Sequence, residues 1–151
     1  MSLRCKLATL IGLILIGLGL IVFWPSRAQT HVEINGVRFN VQIADTEQAR
    51  ERGLSGQKGL GEHEGMLFVF EKPDRYPFWM QGMLFPIDII YIRDGAITEI
   101  AADLLPPKPG SAAAKYSPQL AADHVLEVRA GTAQGMGWKN GTRIDFSPNS
   151  P

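Results

Sequence analysis

The sequence has little cysteine and no excess of charge of either sign. Cys5 is the only cysteine among its 151 residues, so no disulfide can form within the chain and the fold has to be stable through its hydrophobic core. Fifteen basic residues are matched by fifteen acidic ones, whereas nucleic-acid-binding domains usually present a basic face. A glycine-rich phosphate-binding loop and a zinc-ligand pattern are also absent. These absences predict a domain with no nucleic-acid partner, no cofactor and no bound metal.

The amino terminus contains a long apolar run. Arg4 and Lys6 precede an unbroken apolar segment from Leu7 to Trp24, and a helix that crosses a bilayer needs about 17–25 such residues. Basic residues ahead of the run favour a cytoplasmic amino terminus and export of the rest of the chain. The run therefore predicts a retained membrane anchor. The alternative is cleavage after Ala28, at a small-x-small triplet, which leaves a periplasmic or secreted domain.

The rest of the chain has the pattern of one β-rich domain. Short runs of alternating apolar and polar residues are separated by frequent turn signals, which is typical of antiparallel sheets in a sandwich or barrel. One or two short helices are expected beside the sheets, in addition to the N-terminal transmembrane or signal helix. The sequence divides into an anchor or signal peptide (1–28), a single β-rich domain (29–147) and a disordered tail (148–151).

A β-hairpin is predicted at the start of this domain. Asn35-Gly36 is the preferred residue pair for a two-residue hairpin turn. The turn pairs Ile34 with Val37 and Val32 with Phe39, which places all four apolar side chains on one face of the hairpin. The turn signal and the apolar pattern therefore predict the same register.

Two short helices are also predicted. Asp45 or Thr46 can cap the start of a helix, and Gly53 can end it. A single helical turn is expected within the segment GTAQGMGW, residues 131–138. Both segments lie between predicted strands, so we expect the helices to pack beside the sheet.

A carboxylate stands inside an apolar stretch, because Asp88 lies in the segment Pro77 to Ile92, PFWMQGMLFPIDIIYI. An unpaired charge among isoleucines is costly to bury, so Asp88 needs a structural or a functional explanation. A tight turn at Asp94-Gly95 pairs Ile90 with Glu99 on the returning strand. Asp88 and Glu99 then share one face of the hairpin, in diagonal positions about 7–8 Å apart.

Two interpretations of Asp88 follow from this placement. In the functional one, Asp88 and Glu99 flank a cleft and act as the acid and the base of a small hydrolase. In the structural one, Asp88 accepts hydrogen bonds from backbone amides or pairs with Arg52, and Glu99 is solvated. Structural carboxylates are commoner than catalytic pairs, which favours the structural interpretation.

Other residues can be interpreted as binding groups. Trp79 is a candidate aromatic platform for a sugar ring or another flat ligand, although tryptophan is more often a core residue. Arg52 is a candidate anion anchor in the same cleft. Methionine and histidine can hold copper(I), but methionine also fills cores and the histidines are scattered singly along the chain. The residues considered for such a metal site are Met66, Met80, Met83, His63 and His124.

Several short motifs occur in a fixed order along the domain. They are ERGL (Glu51–Leu54), GMLFVF (Gly65–Phe70), FWM (Phe78–Met80), PIDIIYI (Pro86–Ile92) and VLEVRAG (Val125–Gly131). With these motifs the chain resembles the domain-of-unknown-function 192 family, from about Val32 to Phe146. The resemblance implies a mainly β, sandwich-like domain for which no activity is established.

Three functions are compatible with these residues. The first is an extracytoplasmic, membrane-anchored domain that binds a saccharide, a peptide or another protein of the cell envelope. The second is a small hydrolase that uses Asp88 and Glu99, and the third is a structural accessory of another membrane protein. The sequence assigns no catalytic residue. The candidate ligand-binding residues are Arg52, Trp79, Met80, Asp88 and Glu99.

Overall fold

The computed structural model describes residues 30–148. The predicted anchor or signal segment (1–28) lies outside this range, as do residues 149–151 of the predicted tail. No helix within the described range is long and apolar enough to cross a membrane. The strands and helices are β1 (Thr30–Ile34), β2 (Val37–Ala44), α1 (Glu47–Arg52), β3 (Glu64–Asp74), β4 (Phe78–Trp79), β5 (Ile87–Arg93), β6 (Ala96–Leu104), β7 (Lys115–Tyr116), β8 (Ala122–Arg129), α2 (Thr132–Gly135) and β9 (Ile144–Pro148).

The hairpin of β1 and β2 has the predicted turn and register. Asn35 and Gly36 have φ angles of 52° and 79°, the left-handed conformations that a tight hairpin turn requires at both central positions. Ile34 pairs with Val37 across the turn, as predicted. Both predicted helices are also present. Thr46 caps α1 by accepting a hydrogen bond from the Ala49 amide (3.2 Å), and α2 forms within the predicted segment 131–138.

Seven strands form one sheet, in the order β6-β5-β8-β3-β2-β1-β9. Neighbouring strands are antiparallel except β2 and β3, which run parallel because the chain returns through α1 and a loop between them. The first described strand, β1, pairs with the last one, β9. The remaining strands, β4 and β7, form a separate two-stranded ribbon.

The sheet curls until its two edge strands approach each other. Ile97 of β6 donates a backbone hydrogen bond to Thr142 (2.9 Å), and Ile144 of β9 donates one to Gly95 (2.9 Å). These bonds join only the ends of the edge strands, so the sheet is a curled half-barrel. The prediction of a mainly β domain with two short helices is confirmed.

Apolar side chains cover both faces of the sheet. One cluster, here called the inner core, draws residues from all seven strands together with Ala133 and Trp138. Side chains of so many strands meet only on the concave face, so the inner core lies inside the curl. The second cluster, the outer core, lies on the opposite face of β2, β3, β5, β6 and β8, under Leu54, Met80 and Met83. The prediction that the β5–β6 hairpin has one core face is wrong, because β5 is buried on both faces.

The predicted register of β5 and β6 is also wrong beyond the turn. Ile92 pairs with Ile97 as expected, but the next pair is Tyr91 with Glu99, where Ile90 was expected opposite Glu99. Thr98 is the extra residue, and its hydroxyl donates a hydrogen bond to the Tyr91 carbonyl oxygen (3.2 Å). A one-residue bulge moves the following side chains to the other face. Glu99 therefore lies on the outer face and Asp88 on the inner one, so the two carboxylates do not share a face.

Asp88 is a fully buried tie between β5 and two other segments. Its Oδ1 atom accepts hydrogen bonds from the backbone amides of Asp103 (2.9 Å) and Gly131 (3.2 Å), and its Oδ2 atom accepts one from Ala133 (2.9 Å). The carboxylate thereby fixes the end of β6 and the start of α2 on the inner face. These are the backbone-amide partners of the structural interpretation. Arg52 is an exposed residue of α1 and is not one of them.

We expect Asp88→Asn to destabilise the domain by about 2–4 kcal/mol, because the amide replaces one acceptor oxygen with an NH₂ donor and leaves at least one of the three backbone N–H groups buried without an acceptor. Urea unfolding of the chain from Gln29 onward measures this loss. Asp103→Asn is the matched control, since its side chain is exposed and asparagine tolerates the φ of 54° at this position. Equal stability of the two variants would show that Asp88 is not a tie.

Candidate functional site

A cleft of about 240 Å³ opens on the outer face of the sheet, beside the outer core. Its walls come from α1, from the end of β3 and from the segment that leads through β4. It is here called the aromatic cleft, since rings make up much of its wall. The rings are Phe68, Phe70, Tyr76, Phe78 and Trp79.

The rings of the aromatic cleft pack on one another in pairs. Phe68 and Phe78 meet edge to face with ring centroids 4.9 Å apart, and Phe70 and Tyr76 are stacked at 3.6 Å. Edge-to-face and stacked aromatic pairs are favourable beyond the area that they bury. Trp79 differs from these four rings because 54% of its surface is exposed. The walls are thus held by ring packing, while Trp79 stays accessible to a ligand.

The α1 side of the cleft carries two arginines with different environments. The Arg50 guanidinium donates hydrogen bonds to the carbonyl oxygens of Asp45 (2.7 Å) and Val69 (2.9 Å), and it lies over the Phe70 ring, 5.3 Å from the centroid. Arg50 is therefore held in place as part of the wall. Arg52 lines the same cleft and forms no ion pair with any residue in the described range. Of the two, Arg52 is the cation that a ligand can engage.

Glu127 of β8 lines the aromatic cleft from the sheet side. It stands in register between Met66 of β3 and Ile89 of β5, both of which belong to the outer core. Glu127 is 5% exposed, and within residues 30–148 its Oε2 atom has no hydrogen-bond partner. Burial raises the pKa of this carboxyl group to about 8. The cleft therefore has a buried acid that is mostly neutral at pH 7 and whose Oε2 atom no group of residues 30–148 satisfies.

A tyrosine lies near this acid in the outer core. Tyr91 is fully buried, and its hydroxyl has no hydrogen-bond partner within the described range. Burial, reinforced by Tyr116, Glu99 and Glu127, raises the pKa of Tyr91. Tyr91 therefore stays neutral over the pH range in which Glu127 titrates.

The structure brings only two of the five sequence-predicted site residues to this cleft. Arg52 and Trp79 line it, whereas Met80 is buried in the outer core and is 1% exposed. Asp88 lies on the inner face of the sheet, as described above. Met83 also belongs to the outer core, and His63 packs edge to face against Phe39 of the inner core.

Glu99 has a structural environment of its own. It accepts a hydrogen bond from the Tyr116 hydroxyl (2.6 Å) and others from the amides of Gln119 (2.8 Å) and Leu120 (3.2 Å). The hydrogen bond to Glu99, with burial, raises the pKa of Tyr116 to about 12. Glu99 thereby holds the β7 segment against β6. Asp88 lies on the opposite face of the sheet, and its carboxylate already accepts three hydrogen bonds from backbone amides. The two carboxylates therefore do not form an acid–base pair.

Glu127 is the residue that sequence reasoning missed. It stands in the VLEVRAG motif, between apolar residues that are buried on both faces of β8. This is the same signal that singled out Asp88, a charge inside an apolar strand. The alternation of VLEV also fits a strand with one solvated face. Glu127 is buried only because other segments, among them those that carry Leu54, Met80 and Met83, pack over the outer face of the sheet.

The fold and this cleft define a β-rich domain with a ligand-sized cavity on the outer face of a half-barrel. The chain belongs to the DUF192 family, described as "Uncharacterized ACR", whose model matches residues 30–146. The family-level expectation from the sequence motifs is confirmed. No curated protein matches the chain.

Two solved structures are similar to the chain. One, from Sinorhizobium meliloti 1021, is described as a candidate transcription regulator; it is 25% identical, with a TM-score of 0.69 over 78% of this chain and 92% of that one. The other, from Novosphingobium aromaticivorans DSM 12444, is described as a protein of unknown function. It is 29% identical, with a TM-score of 0.68 over 78% of this chain and 83% of that one.

We expect Glu127→Gln to remove a fall in stability that the parent chain shows as pH rises. The folded-state pKa of about 8 lies above the ordinary value of 4.5, so the folded protein binds more protons than the unfolded one between these values. The free energy of unfolding is then highest below about pH 4.5 and falls towards pH 8, by at most about 1.4 kcal/mol per pH unit.

Urea unfolding at several pH values between 5 and 9 checks this expectation. The difference between Glu127→Gln and the parent chain should grow with pH and level off near pH 8. Glu71→Gln serves as the control because Glu71 is exposed, and we expect its curve to follow that of the parent. A Glu127→Gln curve that is parallel to the parent curve would contradict a raised pKa at Glu127.

Proposed function

We propose that this chain is an extracytoplasmic, membrane-anchored domain that binds a small ligand of the cell envelope in the aromatic cleft. The observation that carries the proposal is Glu127, a buried residue that lines an aromatic-walled cavity and whose Oε2 atom has no hydrogen-bond partner among the described residues. Ligand sites are typically apolar concavities with a few convergent polar groups. The aromatic cleft has this composition.

The energetics of Glu127 support a functional explanation. Burying a polar group without a hydrogen bond costs about 1–3 kcal/mol by mutational measures. Asp88 avoids this cost through its three amide donors, whereas the Oε2 atom of Glu127 has no donor within residues 30–148 that would offset it. Groups retained at a cost to stability are found most often at functional sites.

The size and the shape of the cavity support a small ligand. A volume of about 240 Å³ accommodates one sugar ring or one side chain rather than a protein surface. Trp79 offers an exposed ring face at the mouth, and Arg52 offers a cation without a partner in the described range. The ligand classes are therefore a saccharide or a peptide.

The place of this domain in the cell is proposed from the amino terminus. The apolar run Leu7 to Trp24 after two basic residues supports a retained anchor with the domain outside the cytoplasm. The S. meliloti protein is described as a candidate transcription regulator. Direct binding to nucleic acid fits this chain less well, because it has no excess of basic residues.

We expect Trp79→Ala to weaken ligand binding by about tenfold to a hundredfold, since it removes an exposed aromatic contact worth about 1–3 kcal/mol. A thermal-shift screen of monosaccharides, amino sugars and short peptides against the parent chain identifies ligands, and titration of the variant measures the loss. Leu105→Ala is the control, because Leu105 is an exposed apolar residue outside the cleft lining. A ligand that binds both variants equally would place the site elsewhere.

A further inference from the structure

We propose that the aromatic cleft is a site for a primary ammonium group, which Glu127 binds as a carboxylate after giving up its proton. This inference rests on the function proposed above and names the chemistry of the ligand. An ammonium group is shared by amino sugars and by the free amino termini of peptides. The exchange balances as Glu127-COOH plus R-NH₃⁺ giving a Glu127-COO⁻/⁺H₃N-R ion pair and one proton, which passes to the solvent.

The first argument is the hydrogen-bonding state of Glu127. Its Oε2 atom is buried without a partner in the described range, and a carboxylate is an acceptor that needs donors. An ammonium group supplies three donors and an opposite charge at once. A neutral hydroxyl group supplies one donor and no charge, so it compensates the buried carboxylate less completely.

The second argument is that ring faces of this cleft already hold a cation. The Arg50 guanidinium lies 5.3 Å from the centroid of the Phe70 ring, which is itself stacked on Tyr76. Aromatic faces attract cations through their quadrupole, and the attraction grows as water is excluded. Exposed Trp79 offers a further face, and tryptophan is the strongest of the aromatic residues in this interaction.

The third argument is the balance of charge around the cleft. The groups that face it from α1 are Glu47, Arg50, Glu51 and Arg52, and Glu127 faces it from the sheet. Once Glu127 is ionised, three carboxylates stand against two guanidinium groups, one of which is held by backbone carbonyl oxygens. The site therefore favours a cation beside Glu127, and Arg52 can donate hydrogen bonds to an anionic or hydroxyl group of the same ligand.

This chemistry gives the binding a definite pH dependence. Burial raises the pKa of free Glu127 to about 8, so an ammonium ligand has to displace a proton below that pH. Affinity then rises by up to tenfold per pH unit to a maximum near pH 8. Above that pH affinity falls, because an amino group with an ordinary pKa of about 7.7–8.0 loses its own charge. The other titratable groups near Glu127 are Tyr91 on β5 and Tyr76 in the cleft wall, besides the four charged residues of α1. Glu127→Gln separates the contribution of Glu127 from theirs.

The test is isothermal titration calorimetry of the full chain in detergent, at pH 6, 7 and 8 and in two buffers of different ionisation enthalpy. The probes are matched pairs: glucosamine with glucose, and alanylalanine amide with its N-acetylated form. We expect each amine to bind at least tenfold more tightly than its neutral counterpart, with about one proton released at pH 7. We expect Glu127→Gln to lose this preference, the proton release and most of the pH dependence. The pair that binds more tightly identifies the source as a saccharide or a peptide.

The outcomes separate this inference from the proposed function. If glucose or the acetylated peptide binds as tightly as its amine, without proton release, the ammonium inference is overturned and a neutral-ligand cleft remains. If no probe of either kind binds or shifts the thermal transition, both proposals are overturned. Trp79→Ala provides an independent check that does not alter Glu127. This variant should weaken the binding of both probes of a pair and leave the number of protons released on binding unchanged.

Discussion

The structure depends on one constraint, which is that the central strands of its sheet are apolar on both faces. A sheet of this kind has to bury two surfaces, and a short domain has few elements with which to do so. The inner face is buried when the sheet curls on itself around Phe39 and Trp138. The outer face is buried by α1 and by the loops that carry Leu54, Met80 and Met83. The aromatic cleft lies at the border of these covering segments, and Glu127 is one of its lining residues.

Asp88 and Glu127 are both buried acids, but their surroundings differ on the two faces of the sheet. Asp88 lies where β6 and α2 present backbone amides, so its charge is satisfied by donors that the fold supplies. Glu127 lies between Met66 and Ile89, which supply none. A short acid beside a helix start becomes an anchor for the chain, whereas a longer acid among thioether and aliphatic groups keeps its affinity for a donor. Residue type alone does not distinguish these cases, because the neighbouring groups determine whether a buried acid has hydrogen-bond donors.

The sequence predicts the parts of this fold that local signals control. Asn35-Gly36 defines a turn and a register within a few residues, and Thr46 and Gly53 define the ends of α1. The parallel pairing of β2 and β3 could not be predicted in this way because it joins segments separated by a helix and a long loop. The bulge at Thr98 depends on a hydrogen bond to Tyr91 that forms only after the strands pair. For the same reason the sequence suggests Trp79 and Arg52, which line the aromatic cleft, as candidates but does not suggest Glu127. The burial of Glu127 depends on segments that pack over the sheet only in the folded domain.

The pairing of β1 with β9 has a consequence for how the chain reaches this state. Thr30 lies opposite Pro148, so the first of the described strands can complete its pairing only after the last of them has been made. Contacts so distant along the chain slow folding, because a large loop has to close before they form. Until then β1 presents an unpaired edge, the kind of surface through which chains aggregate. Loss of β9 would leave this edge of β1 open permanently.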